Sequence, residues 1–136
     1  MAQLAKVEAR LETRAPRWVT AVVILGALLM VVGALLAVLR PAQLLAPGEV
    51  VTGAVRVYAG YLFSRNLALG VLLVVMLRLR ARGALRGLMV LYASVQFLDA
   101  IMDAVEGRWA ILPVVVVLGV LFAVGTARLP REATVW

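Results

Sequence analysis

The stretch VTAVVILGALLMVVGALLAVL, residues 19–39, decides the fold class. It contains no charged residue, and Thr20 is its only polar member. About 20 apolar residues in an α-helix cross the hydrocarbon core of a bilayer, which is about 30 Å thick. The run also exceeds the apolar core of a secretory signal, which is about 7–15 residues long. We therefore expect these residues to form a membrane-spanning helix that is retained in the protein.

Three more apolar stretches follow, so the sequence predicts an all-α, four-helix transmembrane bundle. The helices are expected at about residues 18–39, 50–77 (or 55–77), 85–105 and 110–129. Only residues 107–109 separate the third helix from the fourth, which predicts a short antiparallel hairpin. The bundle thus occupies residues 18–129, between a basic cytoplasmic or interfacial lead-in at residues 1–17 and a cytoplasmic tail at residues 130–136.

Composition excludes several classes of function. The chain has 136 residues, 65% of them hydrophobic, and its mean hydropathy of +1.04 is far too high for a soluble domain. Cysteine and histidine are absent, so we expect no disulfide, no thiol redox chemistry, no metal site built on these residues and no cofactor. The net charge of +7 comes from basic residues that flank the apolar stretches, where they meet anionic lipid rather than nucleic acid.

Lysine and arginine counts predict the orientation. The lead-in, the segment between the second and third helices, and the tail, counted with their adjoining helix ends, hold ten basic residues, whereas the two opposite connections and their helix ends hold three. Cytoplasmic segments of membrane proteins carry the excess of basic residues. The sequence therefore predicts that both termini are cytoplasmic.

Polar residues within the second and third helices mark the candidate site. Five share one face of the third helix at spacings of four, three, four and three residues: Tyr92, Gln96, Asp99, Asp103 and Glu106. Four lie together on the second helix: Tyr58, Tyr61, Arg65 and Asn66. A charge at the bilayer centre costs about 2.5–3.5 kcal/mol on insertion scales. Because Arg65 and Asp99 are expected at nearly the same depth, we predict that they form an ion pair.

This pattern suggests a site for a hydrophobic small molecule such as an isoprenoid, a sterol or a quinone-like compound. In this hypothesis Arg65, Asp99 and Asp103 are the catalytic residues, and the other six polar residues contact the ligand. Arg65 holds Asp99 ionised, while Asp103 stays protonated and donates the proton in an isomerisation, cyclisation or epoxide opening. Three alternatives remain open: a structural clasp between two helices, a non-enzymatic accessory subunit of a membrane complex, and a proton-coupled transporter that acts as an oligomer.

The run Arg65, Asn66, Leu67, Ala68, Leu69, Gly70 resembles the Arg-Asp-Leu-Ala-Leu-Gly run in the second helix of DoxX-like proteins. Asp99 matches an aspartate late in the third helix of the same proteins, and Asn66 replaces their acid. The resemblance covers residues 61–109 and extends to a family of unknown function within that group. It implies a small four-helix protein of the bacterial cytoplasmic membrane and little about activity.

Overall fold

The computed structural model describes residues 16–45 and 48–129. Within these residues the chain forms four α-helices and one 3₁₀ turn, and no strand. The predicted all-helical, four-helix fold is therefore confirmed. The predicted tail at residues 130–136 and nearly all of the predicted lead-in lie outside the described residues.

The helices follow the apolar stretches closely. In chain order they are α1 (Arg17–Leu39), the 3₁₀ turn (Pro41–Leu44), α2 (Gly53–Leu79), α3 (Arg82–Val105) and α4 (Leu112–Arg128). The first three are long and apolar enough to cross a membrane. The fourth is apolar but has only 17 residues, or about 25 Å of helix, which is the lower end of the range for a spanning helix.

Three helices start two or three residues away from the expected position, each for a local reason. The start of α2 is fixed by Thr52, whose hydroxyl oxygen accepts a hydrogen bond from the Val55 backbone N–H at 3.4 Å. At the start of α3, Arg82 joins the helix because a long basic side chain reaches water from a helix end. The last helix begins at Leu112, which places Pro113 within the first two positions, where a missing N–H costs nothing.

The helices pack in sequence-adjacent pairs. The closest pairings are α1 with α2 and α3 with α4, and contacts between α2 and α3 and between α1 and α4 join the two pairs. The turn between α2 and α3 consists of Arg80 and Ala81 alone, so the chain reverses direction there. This arrangement brings the middle of α2 beside the second half of α3, where the predicted polar residues lie.

One aromatic layer crosses the centre of the bundle. The rings of Tyr92 on α3 and Phe122 on α4 stack with centroids 4.0 Å apart and an interplanar angle of 24°. The tip of the Phe122 ring lies directly against Gly26 of α1. Phe122 is fully buried, so it is held between a glycine on one side and a stacked ring on the other. The absence of a side chain at Gly26 is what allows α1 and α4 to approach at this level.

The close approach predicts that Gly26→Ala will destabilise the bundle by about 1–3 kcal/mol, the usual cost of an extra methyl group in a packed core. The added methyl would overlap Phe122, and Tyr92 prevents that ring from moving away. Thermal unfolding of the purified protein in detergent measures the effect.

Gly33→Ala is the matched control on the same helix, because its added methyl group would have no atom within 4 Å other than those of its chain neighbours and the adjacent helix backbone. Its unfolding midpoint should be unchanged or slightly higher, since alanine favours a helix over glycine. Equal losses of stability in the two variants would contradict the packing described for Gly26.

Candidate functional site

Arg65 and Asp99 form an ion pair that bridges α2 and α3. The guanidinium Nη2 of Arg65 lies 3.4 Å from Oδ2 of Asp99. The same guanidinium donates from Nε to Oδ1 of Asn66 at 3.3 Å, so the neighbouring amide orients it. The ion pair predicted from the sequence is thus present, and it connects the α1–α2 pair of helices to the α3–α4 pair.

The Arg65–Asp99 pair is loose and half-exposed. Its side chains keep 42% and 40% of their surface exposed. Both of the arginine's contacts are longer than the roughly 2.7–2.9 Å of a strong charge-assisted hydrogen bond. Asp99 lies six residues before Val105, where α3 ends, which is about 9 Å along the helix axis. The pair therefore lies inside the span of the helices and presents polar atoms at the outer surface of the α2–α3 seam.

Asp103 has a different partner, which the sequence analysis did not assign. Its Oδ1 lies 3.5 Å from Nη1 of Arg108, and the Asp103 side chain is only 12% exposed. Arg108 also approaches Oε2 of Glu106 at 3.8 Å. The contact depends on the end of α3, where Gly107 has φ +74° and the Arg108 N–H donates to the Asp103 carbonyl oxygen at 2.7 Å.

In the sequence, Arg108 is one of the three basic residues in the opposite connections, and its only use there is to predict the orientation. The signal that could have identified its role is the order Glu106, Gly107, Arg108 after a helix that contains Asp103. A glycine just past a helix end commonly folds the chain back over the last turn. That reversal returns the next side chain toward the residue five positions earlier.

The two aspartates therefore have different ion-pair partners, Arg65 for Asp99 and Arg108 for Asp103. The sequence analysis assigned Asp103 as a protonated donor beside an ionised Asp99. In the structure the Asp103 carboxyl group lies 3.5 Å from the Arg108 guanidinium. Asp99 is the more exposed of the two carboxyl groups. Proton donation by Asp103 stays a prediction, and Asp99 is the carboxyl group that is more accessible from outside the bundle.

The other predicted site residues separate into three surroundings. Tyr92 and Gln96 are buried in the core, where Tyr92 stacks on Phe122 and the Gln96 side chain lies against Gly119. Tyr58 and Tyr61 lie on the outer surface of α2, with 66% and 71% of their surface exposed. Glu106 is exposed at the end of α3. Among the predicted site residues that the structure describes, Arg65, Asn66 and Asp99 are the ones that side-chain hydrogen bonds join at the seam.

Helix geometry explains why a single predicted face divides in this way. Because an α-helix turns by about 100° per residue, a side chain three positions later points about 60° away from the first one. Asp99 is therefore displaced from Gln96 toward α2, while Asp103 turns back toward the core. Residues that share one helix face by their sequence spacing therefore lie partly in the interior of the bundle and partly at the seam.

The residues from 16 to 45 and from 48 to 129 contain no group of three or more His, Cys, Asp or Glu residues arranged to hold a metal ion. The comparisons with known proteins give no further assignment: no family model, no curated protein and no solved structure matches the chain. Hypotheses about function therefore depend on the geometry of the seam.

A double-mutant cycle tests whether Arg65 and Asp99 depend on each other. We expect Arg65→Leu and Asp99→Leu each to lower the unfolding midpoint more than the double variant does, because each single change leaves one charge without its partner. The coupling energy should lie at about 0.5–3 kcal/mol, the range for residues in contact. Thermal unfolding in lipid nanodiscs is the measurement.

Arg56 supplies the control for this cycle. It is an exposed arginine on α2, nine positions before Arg65. Arg56→Leu combined with Asp99→Leu should give additive losses. Additive losses for Arg65 and Asp99 as well would show that the contact contributes nothing to stability.

Proposed function

We propose that this protein binds a hydrophobic small molecule with a polar oxygen group, of the isoprenoid, sterol or quinone-like type, at the α2–α3 seam. The observation that supports this is the half-exposed Arg65–Asp99 pair within the span of the helices. Ionisable residues inside a membrane protein are costly and are usually functional. In this proposal Arg65 and Asp99 contact the oxygen group, and Asn66 holds the guanidinium in place.

The chemistry of the pair matches such a ligand. An arginine has five N–H donors and no acceptor, whereas a carboxylate only accepts. A carbonyl or ether oxygen therefore accepts from Arg65, and a hydroxyl group donates to Asp99. Apolar side chains exposed on the two helices offer a surface for the rest of the molecule, among them Val57, Leu98 and Met102. A ligand of this kind adds the polar partner that a charge pair lacks in hydrocarbon.

The proposal is one of binding. Any acid–base chemistry at the seam would use Asp99, because Asp103 is occupied by Arg108. We also propose that the chain is a DoxX-like protein of the bacterial cytoplasmic membrane with both termini in the cytoplasm. The motif at residues 65–70 and the excess of basic residues at one end of the bundle support this assignment.

Analysis of co-purifying lipids tests the binding proposal. The wild-type protein and the variant with both Arg65→Leu and Asp99→Leu are extracted with their native lipid in polymer-bounded discs, and the extracts are compared by mass spectrometry. We expect one oxygenated apolar compound to be enriched with the wild type and lost from the double variant. The double variant is used because it leaves no stranded charge and should remain folded.

Arg56→Gln is the control, since it removes an exposed positive charge on the same helix away from the seam. It should retain the enriched compound. Identical extracts from the wild type and the double variant would contradict the proposal and leave the pair as a structural clasp. A stoichiometric protein that depends on the pair, in place of a small molecule, would support the accessory-subunit alternative.

A further inference from the structure

Six arginines lie at one end of the bundle, which we call the basic end: Arg17, Arg78, Arg80, Arg82, Arg86 and Arg128. Chain connectivity places four of them around the α2–α3 turn. The other two are brought there by packing, because Gly125 near the end of α4 lies against Trp18 and Val19 of α1 and Met89 of α3. The basic end is thus a single surface that all four helices contribute to.

This surface carries no compensating negative charge from the described residues. The acidic residues within 16–45 and 48–129 are Glu49, Asp99, Asp103 and Glu106, and all belong to the other half of the bundle. In the same part of the chain, none of the six arginines of the basic end forms an ion pair. Arg17, Arg78, Arg80 and Arg128 are exposed.

Arg80 occupies a backbone position that favours glycine. It follows the last residue of α2 with φ +56° and ψ +25°, in the left-handed region. Its N–H donates to the Leu77 carbonyl oxygen at 3.3 Å, and the Ala81 N–H donates to that of Met76 at 3.1 Å. Helices commonly end with this pair of hydrogen bonds. The left-handed residue that follows such a helix is usually glycine, because a Cβ atom is unfavourable in that conformation.

The opposite end of the bundle provides the comparison within the same chain. The Gly107 N–H donates to the Ala104 carbonyl oxygen and the Arg108 N–H to that of Asp103, which is the same pattern of bonds. There the left-handed residue is glycine, with φ +74°. The chain thus uses glycine for this turn at one end and arginine at the other, although arginine is the less favourable residue for the backbone.

We propose that the basic end binds the phosphate head group of an anionic phospholipid, and that Arg80 is a principal contact. Guanidinium groups bind phosphate oxygens in pairs of parallel hydrogen bonds. Leu79, beside Arg80, is 69% exposed and offers an apolar contact for an acyl chain. A phospholipid can contact Arg80 with its phosphate and Leu79 with an acyl chain, whereas a free phosphate ion can contact only the arginine. This site is independent of the one proposed at the α2–α3 seam.

Unfolding in nanodiscs of defined composition tests the proposal. The thermal midpoint of each protein is measured in phosphatidylcholine discs with increasing phosphatidylglycerol. The wild type should gain stability as the anionic lipid increases. Arg80→Gly should weaken the apparent affinity for phosphatidylglycerol about fivefold, the equivalent of about 1 kcal/mol for one basic residue at an anionic surface. In pure phosphatidylcholine the thermal midpoint of Arg80→Gly should be unchanged or higher, because glycine adopts the left-handed backbone conformation without a steric cost.

Two further variants and one further ligand complete the test. Arg80→Asn removes the charge with a residue that also tolerates the left-handed region, so it should show the same weakened response. Arg56→Gln removes an exposed arginine from the other half of the bundle and should respond like the wild type. Inorganic phosphate added to phosphatidylcholine discs should give no stabilisation.

Three results would overturn the proposal. The first is an unchanged phosphatidylglycerol response in both Arg80 variants. The second is an equal loss of response in Arg56→Gln, which would indicate general attraction of a basic protein to an anionic bilayer. The third is stabilisation by inorganic phosphate that matches the effect of the lipid, which would indicate a site for a free anion.

Discussion

The structure depends on one constraint: a charge placed among membrane-spanning helices needs a partner. Arg65 carries a permanent charge, because a guanidinium group does not lose its proton in proteins. Asp99 on the neighbouring helix meets it at 3.4 Å, so the contact ties together two pairs of helices that are otherwise joined by apolar packing. The pair fixes which face of α2 meets α3. The long contact distance and the exposure of the pair make the seam a candidate binding site rather than only a structural contact between helices.

Polar groups are distributed over the bundle by the environment available to each. In the core, the aromatic layer of Tyr92 and Phe122 packs closely against Gly26. At the end of α3, Asp103 and Arg108 form an ion pair over the reversed chain, with the Asp103 side chain only 12% exposed. Between these two regions, the seam holds two charged side chains that the described residues leave about 40% exposed. This arrangement separates structural polar residues from those that can meet another molecule.

The fold class was predictable because the length and spacing of apolar stretches in a bilayer leave few alternatives. The Arg65–Asp99 pair was also predictable, since helical rise alone gave the two residues similar depths. The grouping of Asp99 with Asp103, Tyr58 and Tyr61 was less predictable, because helix rotation is set by packing between side chains that sequence spacing does not specify. Arg108 was missed for a similar reason. Its contact depends on the left-handed turn at Gly107, which redirects the chain rather than continuing the helix.

The most direct test of this account is the distance between the two charged groups in a lipid bilayer. Solid-state NMR can measure the dipolar coupling between the guanidinium nitrogens of Arg65 and the carboxyl carbon of Asp99 in selectively labelled protein reconstituted in phospholipid. The account predicts a strong coupling, as expected for groups in contact, which disappears when Asp99 is replaced by leucine. A coupling too weak for contact would mean that the two helices are not joined by this pair, and would contradict the account.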